Sequence, residues 1–194
     1  MSRKTATETP FSCSCGSLRG RITAAGVKHG THTACYCHDC RAAQLYFGQP
    51  DPAPEPIEIL QTLPEDIIFD SGAEHLALMQ LSPNGMLRWY AGCCNAPLGT
   101  TTRTPKFPFV GFIVKRIPDP SGLGPITTRG FVPKGNGKQS HEKIGSAIYG
   151  LLTRVAKSRL SGSWKNTPFF DPGTAEPVAK PVILSKAERA ALYP

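Results

Sequence analysis

The sequence predicts a mainly β protein that binds zinc through cysteines and carries an amphipathic helix near its C-terminus. Three observations predict this class. Glycine and proline number 19 each among 194 residues, which favours short strands and many turns over long helices. Short apolar segments of strand length recur between those turns. All seven cysteines lie in three tight clusters, a pattern that indicates metal ligation rather than dispersed core residues.

Strand predictions rest on apolar alternation and on turn signals, and together they favour small antiparallel sheets. Leu, Gly and Ile alternate with two arginines in the first segment, which is typical of a half-exposed strand. A Ser-Pro-Asn-Gly turn at residues 82–85 predicts a hairpin, and a glycine-marked turn is expected at residues 26–30. The predicted strands are residues 18–22, 31–34, 57–62, 67–69, 76–81, 86–90 and 109–114.

Helical signals are strongest in the C-terminal part of the chain. From Ser140, which suits an N-cap, to residue 158, apolar residues recur at helical spacing with charged residues between them. We therefore expect an amphipathic helix that packs on the sheet and ends near Gly162. Short helices are also expected at residues 41–47 and 185–192.

The chain divides into three predicted parts. Residues 1–10 are polar and expected to be disordered. Residues 11–116 form the zinc-binding β domain, and residues 117–194 form a loop-rich and helical extension that packs on it. Residues 49–56 carry proline at every second position, which predicts a stiff surface connection that is too short for a domain linker.

Composition limits the compartment and the partners. The formal net charge is +8, and residues 131–194 carry most of it, with 10 Lys/Arg against 4 Asp/Glu. The first residues lack the apolar run of a secretory signal, and no stretch approaches the ~18 apolar residues of a membrane span. We therefore expect a cytoplasmic protein with reduced thiols and no membrane partner.

The central feature is the stretch Cys35-Tyr36-Cys37-His38-Asp39-Cys40, with three thiols in six residues. A tight turn lets all three sulfurs reach one ion, and zinc suits thiolate ligands at roughly 2.3 Å. Three ligands leave a fourth position for water or substrate, which separates a reactive zinc site from a structural one. His38 is the rival for that position, but its short tether to Cys37 makes ligation strained.

The other four cysteines predict a second, closed site. Cys13 and Cys15 lie two residues apart, and Cys93 and Cys94 follow about 80 residues later. Four sulfurs complete a tetrahedral ion, and closing so long a loop is where a metal contributes most to folding. The alternative is that the cysteines are small apolar core residues. Because the clusters are tight, we predict two zinc ions held by all seven cysteines.

Three motifs also occur in a characteristic order: Cys-x-Cys-Gly-x-Leu-x-Gly at 13–20, Cys-x-Cys-x-x-Cys-Arg at 35–41, and Cys-x-x-Pro-Leu at 94–98. Together they resemble the family of glutathione-dependent formaldehyde-activating enzymes, which includes the centromere protein V domain. The resemblance covers residues 10–115 and implies a β-tent-like fold of small sheets with two zinc ions.

The resemblance also implies an activity and a division of the ligands. The family adds glutathione to formaldehyde, gives S-hydroxymethylglutathione, and is classed as a carbon–sulfur lyase. A small thiol such as glutathione is therefore the expected partner. By the family pattern, the structural ion is held by Cys13, Cys15 and Cys94, and the second ion by Cys35, Cys37 and Cys40.

The third motif departs from the family pattern. The family has Cys-x-x-Cys, and alignment on Cys94 places its first cysteine at Ala91, whereas Cys93 stands next to Cys94. Adjacent strand residues point to opposite faces. Both sulfurs can reach one metal only if the backbone kinks, for which Gly92 is the candidate.

Two further functions compete with the enzyme hypothesis. A non-catalytic module would use the segment Lys134–Lys165, with seven Lys/Arg against one Glu, to bind an anionic partner such as nucleic acid. A redox protein would use Cys93 and Cys94, but a vicinal disulfide is strained and ranks last. For the enzyme, Arg41 is the candidate cation beside the zinc thiolates.

Overall fold

In the computed structural model, which describes residues 7–135 and 137–193, the protein is mainly β, as the sequence predicts. Twelve strands in these residues form two sheets, and four helices lie around them. The predicted disorder of residues 1–10 lies outside the described residues at positions 1–6. At positions 9 and 10 the prediction is wrong, because both residues belong to the first strand.

Most strands are short, as the frequent glycines and prolines require. In chain order they are β1 (Thr9–Ser12), β2 (Arg19–Ile22), β3 (Thr31–Cys35), β4 (Ile57–Thr62), β5 (Ile67–Ser71), β6 (Leu76–Gln80), β7 (Leu87–Ala91), β8 (Ala96–Thr101), β9 (Val110–Ile113), β10 (Thr128–Pro133), β11 (Gln139–Glu142) and β12 (Pro181–Ile183).

The larger sheet combines strands from the β domain and from the extension. Its order is β11-β10-β3-β4-β9-β8-β7-β6-β12, beside a three-stranded antiparallel sheet β1-β2-β5. The β10–β3 and β12–β6 pairs are parallel, and the other described pairs of this sheet are antiparallel. Strands of the extension therefore add to both edges of a six-stranded antiparallel sheet, in a region for which the sequence predicts loops.

The main hydrophobic core is built from both sheets and from the extension. Phe11 of β1 packs on Phe112 of β9, with ring centroids 4.6 Å apart. Trp89 of β7 is fully buried and packs on Phe169 at 5.0 Å and on Phe170 at 6.3 Å. Because Phe169 and Phe170 belong to the extension, its packing on the β domain is part of the core itself.

Four helices complete the described fold: α1 (Ala24–His29), α2 (His38–Tyr46), α3 (Ile144–Ser161) and α4 (Lys186–Ala191). The predicted helices after the triple-cysteine stretch and at the C-terminus are confirmed as α2 and α4. The prediction of a turn at residues 26–30 is wrong, because Thr23 caps α1 by accepting from the Gly26 amide. Among the described residues, no helix has both the length and the apolarity to cross a membrane.

The amphipathic helix is confirmed as α3, but its N-cap and the burial of its apolar face differ from the prediction. Its N-cap is Lys143, because Ser140 belongs to β11. The helix contacts β10 and β4 of the large sheet, as expected, but part of its predicted apolar face is exposed to solvent: Ile148 is 49% exposed and Leu152 is 53% exposed. Small residues, Ala147 and Ser158, form the buried side instead.

Candidate metal centres

The first candidate centre joins two distant turns of the chain. Cys13 and Cys15 follow β1, and Cys93 and Cys94 lie in the turn between β7 and β8. Ligand atoms of all four residues lie within 4.8 Å of one another. The structure therefore gathers the first and third cysteine clusters, and the group can hold a metal ion.

The spacing of the four sulfurs fits a tetrahedral ion. The Sγ atom of Cys93 lies 3.8 Å from that of Cys13, 3.5 Å from that of Cys15 and 3.9 Å from that of Cys94. Cys13 and Cys15 are 3.5 Å apart. Four thiolates at roughly 2.3 Å from zinc stand about 3.8 Å apart at the corners of a tetrahedron. The donor set thus matches zinc in both chemistry and size.

The backbone kink that brings Cys93 and Cys94 together comes from a turn and from Asn95. The Cys94 amide donates to the Ala91 carbonyl at 3.2 Å, and Asn95 has a left-handed φ of 54°, a conformation that Asn tolerates better than most residues. Gly92 lies inside this turn, as expected, but its φ is not in the left-handed region, so Asn95 is the residue that takes the left-handed conformation.

Polar contacts and burial act in opposite directions on these thiols. Burial disfavours the Cys13 thiolate, but the Leu18 amide, which donates to its sulfur at 3.3 Å, and contacts from Cys94 and Cys93 lower its pKa overall. Contacts with Ser17 lower the pKa of Cys15 to about 6. Desolvation, followed by contact with Cys15, raises the pKa of Cys93 to about 12.

A buried arginine accompanies this cluster. Arg116 is 7% exposed and donates to the Ser14 hydroxyl at 2.6 Å. Desolvation lowers its pKa, while the negative charge of Cys94 and Cys13 acts in the opposite direction. Four thiolates on a divalent ion carry two net negative charges, and Arg116 offsets one of them.

The second candidate centre is formed by the junction of β3 and α2. Cys35 ends β3, Cys37 is the N-cap of α2, and Cys40 lies in the first helical turn. The Cys40 amide donates to the Cys37 sulfur at 3.3 Å, and the sulfurs of Cys35 and Cys40 are 3.6 Å apart. All three lie within 4.8 Å of one another, so this group can also hold a metal ion.

The pKa values of the three thiols in the second centre shift in different directions. Contacts with Cys37 and Cys40, and then burial, raise the pKa of Cys35. Contact with Cys35 favours the Cys37 thiolate, but contact with Cys40 and burial outweigh it and raise its pKa to about 12. Hydrogen bonds from Cys35 and Cys37, and then the charge of Arg88, lower the pKa of Cys40.

Arg88, rather than Arg41, is the cation beside the three thiols. Arg41 forms a bidentate ion pair with Asp51, at 2.8 and 2.6 Å. Arg88 of β7 is 6% exposed, interacts with the Cys40 sulfur, and lies 3.8 Å from the Asp39 carboxylate. Sequence analysis missed Arg88 because it lies nearly 50 residues from the motif, on a strand that reaches the site only through the sheet.

The three thiols open onto a cavity of about 460 Å³. Its floor is the face of the large sheet opposite the main core, where Ile57 and Ile59 of β4 and Ile113 of β9 line it. Gly111 of β9, without a side chain, leaves room in the floor. At the rim are Met86, 39% exposed, and Phe131, 42% exposed. A concave apolar cavity of this size suits a small molecule.

The histidines differ in their relation to this cavity. His38 lines it from α2 but lies outside the ligand group that the three cysteines form in the described part of the chain. His32 is buried between the Gly124 carbonyl, 2.9 Å from Nδ1, and Glu58, 3.0 Å from Nε2. His32 therefore has a structural role.

The C-terminal helix contacts the second centre from outside. The Tyr193 hydroxyl donates to the Asp39 carboxylate, and Arg189 lies 3.8 Å from the same carboxylate. The apolar side of α2 packs with residues of the C-terminal segment in a second core cluster that includes Ala43, Phe47 and Leu184. The extension thus fixes α2 and, with it, two of the three thiols.

The fold and the two cysteine groups define a mainly β protein with two candidate metal centres. The chain belongs to DUF6151, a family of unknown function, which matches residues 5–181. It is also similar to a crystal structure of a Rhodobacter sphaeroides protein solved as a structural genomics target. The two share 21% identity over 60% of this chain and 96% of the other, with a TM-score of 0.41. No curated protein matches the chain.

Proposed function

We propose that this protein is a zinc-dependent carbon–sulfur lyase that adds a thiol to formaldehyde or a related small carbonyl compound. The observation that carries the proposal is that Cys35, Cys37 and Cys40 converge at the wall of a cavity large enough for a small molecule. A zinc site with three protein ligands leaves one position for a substrate. The motif resemblance to glutathione-dependent formaldehyde-activating enzymes supports the same chemistry.

The proposed reaction is an addition without redox change. The thiol sulfur forms a bond to the carbonyl carbon, the carbon–oxygen π bond breaks, and the thiol proton ends on the carbonyl oxygen. A bound zinc ion would lower the pKa of the incoming thiol. Within the chain, the exposed imidazole of His38 lines the cavity and can carry the proton between sulfur and oxygen.

Arg88 reduces the electrostatic cost of binding a further thiolate at the second centre. Three thiolates on a divalent ion already carry one net negative charge, so a fourth thiolate is costly. The guanidinium of Arg88, buried beside Cys40, offsets that charge. We assign the four-sulfur group at Cys13, Cys15, Cys93 and Cys94 to a structural zinc, because its donor set is complete.

Metal content and exchange kinetics test the proposal. Purified, reduced protein should contain two zinc ions per chain, and Cys37→Ser should retain one. NMR exchange spectroscopy on formaldehyde mixed with glutathione, and separately with phenylmethanethiol, should show faster adduct exchange for at least one thiol with wild-type protein. Cys37→Ser should abolish this acceleration. Zinc-loaded wild type that accelerates neither exchange would refute the enzyme.

The alternative proposal, a non-catalytic module that binds nucleic acid through Lys134–Lys165, has less support. In this segment, Arg154 donates to the His29 carbonyl at 2.7 Å, and Arg159 and Lys165 lie over the Trp164 ring at 5.0 and 5.9 Å. These cations are engaged within the chain. Nucleic-acid binding would weaken steeply with salt, so gel-shift titrations at two ionic strengths decide it.

A further inference from the structure

We propose that the cavity beside Cys35, Cys37 and Cys40 selects a thiol with an apolar, ring-sized substituent over glutathione, and that Phe131 packs against that substituent at the rim. This inference rests on the proposed function, because it names the substrate class of the same site. It follows from the chemistry of the cavity wall, the pairing of its charged groups, and the strained backbone at Phe131.

The wall of the cavity is apolar over most of its area. Ile57, Ile59 and Ile113 present aliphatic side chains from the sheet, and Phe47 presents an aromatic ring from the end of α2. Such a surface binds a hydrocarbon substituent by removing it from water. It offers little to the amides and charges of a peptide.

The charged groups on the wall are already engaged with each other. Arg88 interacts with the Cys40 sulfur and with Asp39, and Asp39 also accepts from Tyr193. Glutathione brings two carboxylates and one ammonium group, and burying a charge without a partner is costly. Among the described lining residues, Arg88 is the one Lys or Arg. Because its guanidinium already interacts with the Cys40 sulfur, it is not available to pair with a carboxylate of glutathione, and glutathione is a poor fit.

Phe131 is held at the rim in a conformation that a bulky side chain rarely adopts. Its φ is 59°, in the left-handed region, at an irregularity in the β10–β11 pairing between Arg129 and Val132. His141 fixes it: the Phe131 amide donates to Nδ1 at 3.2 Å, and the two rings meet edge-on at 4.8 Å. Backbone strain of this kind clusters at active sites and ligand-binding positions.

Calorimetry on zinc-loaded wild type tests the selectivity with three probes: phenylmethanethiol, glutathione and phenylmethanol. We expect phenylmethanethiol to bind at least about tenfold more tightly than glutathione. Glutathione binding as tightly as phenylmethanethiol, or more tightly, overturns the inference, and so does the absence of binding by any probe. If phenylmethanol matches phenylmethanethiol while glutathione binds weakly, apolar selection stands and the metal–thiol step of the proposed function fails.

Phe131→Gly separates a ligand role from a structural one. Glycine accepts a left-handed φ without strain, so the midpoint of thermal unfolding should not fall, whereas phenylmethanethiol should bind about tenfold more weakly and glutathione unchanged. Ala175→Gly is the matched control, because Ala175 has a φ of 61° and does not line the cavity. Unchanged phenylmethanethiol affinity in Phe131→Gly would remove Phe131 from the site.

Discussion

The Sγ atoms of Cys13 and Cys93 lie 3.8 Å apart, although 80 residues separate them in the chain. This contact ties the end of β1 in the small sheet to the β7–β8 turn of the large sheet. A metal at this point constrains the two sheets that form the main core. It also closes a long loop, which limits the unfolded chain more than a short one would.

Cys93→Ser is therefore expected to remove one metal ion and to destabilise the fold. By analogy with cross-links that close loops of this length, the loss in free energy of unfolding should be about 2–4 kcal/mol, measured by urea titration together with elemental analysis. Gly92→Ala is the control, because an added Cβ would meet the Ala77 Cβ and the His75 carbonyl at an ordinary 3.5 Å. Unchanged stability and metal content in Cys93→Ser would exclude Cys93 as a ligand.

Asn95 supplies the left-handed residue that follows the cysteine pair. Asn95→Val should lower the free energy of unfolding by about 1–2 kcal/mol, because a β-branched residue at a φ of 54° clashes with its own backbone. Asn95→Gly should be neutral or stabilising, since glycine accepts this conformation. Thermal unfolding of both zinc-loaded variants measures the difference. Equal midpoints would show that this turn carries no conformational requirement.

Arg88 and Arg41 allow a matched comparison of two cations near the second centre. Arg88→Met should weaken zinc binding at that centre by about 10–100-fold, because it removes the buried charge beside Cys40. Arg41→Met should leave zinc binding unchanged, because Arg41 is paired with Asp51. Competition with a chromophoric chelator measures both. An equal loss in the two variants would mean that overall charge, not position, controls affinity.

The pKa of Asp51 gives an independent check on Arg41. Hydrogen bonds from Arg41 lower this pKa to about 2. A depressed carboxyl pKa adds stability above its unfolded value, near 4, and that stability is lost as pH falls toward 2. In Arg41→Met the Asp51 pKa should rise toward 4 in an NMR titration. A pKa that stays near 2 would assign the shift to the Ala53 amide, which also donates to Asp51.

The two cysteine groups can be predicted from the sequence because the seven cysteines lie in three short clusters. Cys35, Cys37 and Cys40 lie within one turn, so their convergence needs only the β3–α2 junction. The first and third clusters are predicted to pair because each has two thiols, and together they supply the four ligands of a tetrahedral zinc site. The partner of each cluster, Arg88 and Arg116, was not predictable, because each arrives from a distant strand or turn that only the sheet order places there.

Some strands are not predicted from the sequence because their own residues carry weak strand signals. β8 carries Pro97 and Gly99, residues that weaken a strand prediction, and β10 lies among glycines and prolines. Each is stabilised by neighbours already in the sheet rather than by its own propensity. The prediction for α3 was wrong in the opposite direction. Its strong apolar period predicts buried isoleucines and leucines, whereas the buried positions are occupied by the small residues Ala147 and Ser158.

Gly111 offers the most direct test of the cavity itself. A Cβ added there would lie 3.4 Å from the tip of Ile59 and 3.6 Å from the Phe109 ring, so Gly111→Val can be accommodated while its methyl groups fill the floor. We expect such protein to keep two zinc ions and a cooperative unfolding transition but to bind phenylmethanethiol at least about tenfold more weakly. Because the thiols lie on β3 and α2 rather than on β9, the change separates the cavity from the metal ligands. Retained thiol affinity in a folded, zinc-loaded variant would place the ligand elsewhere on the protein.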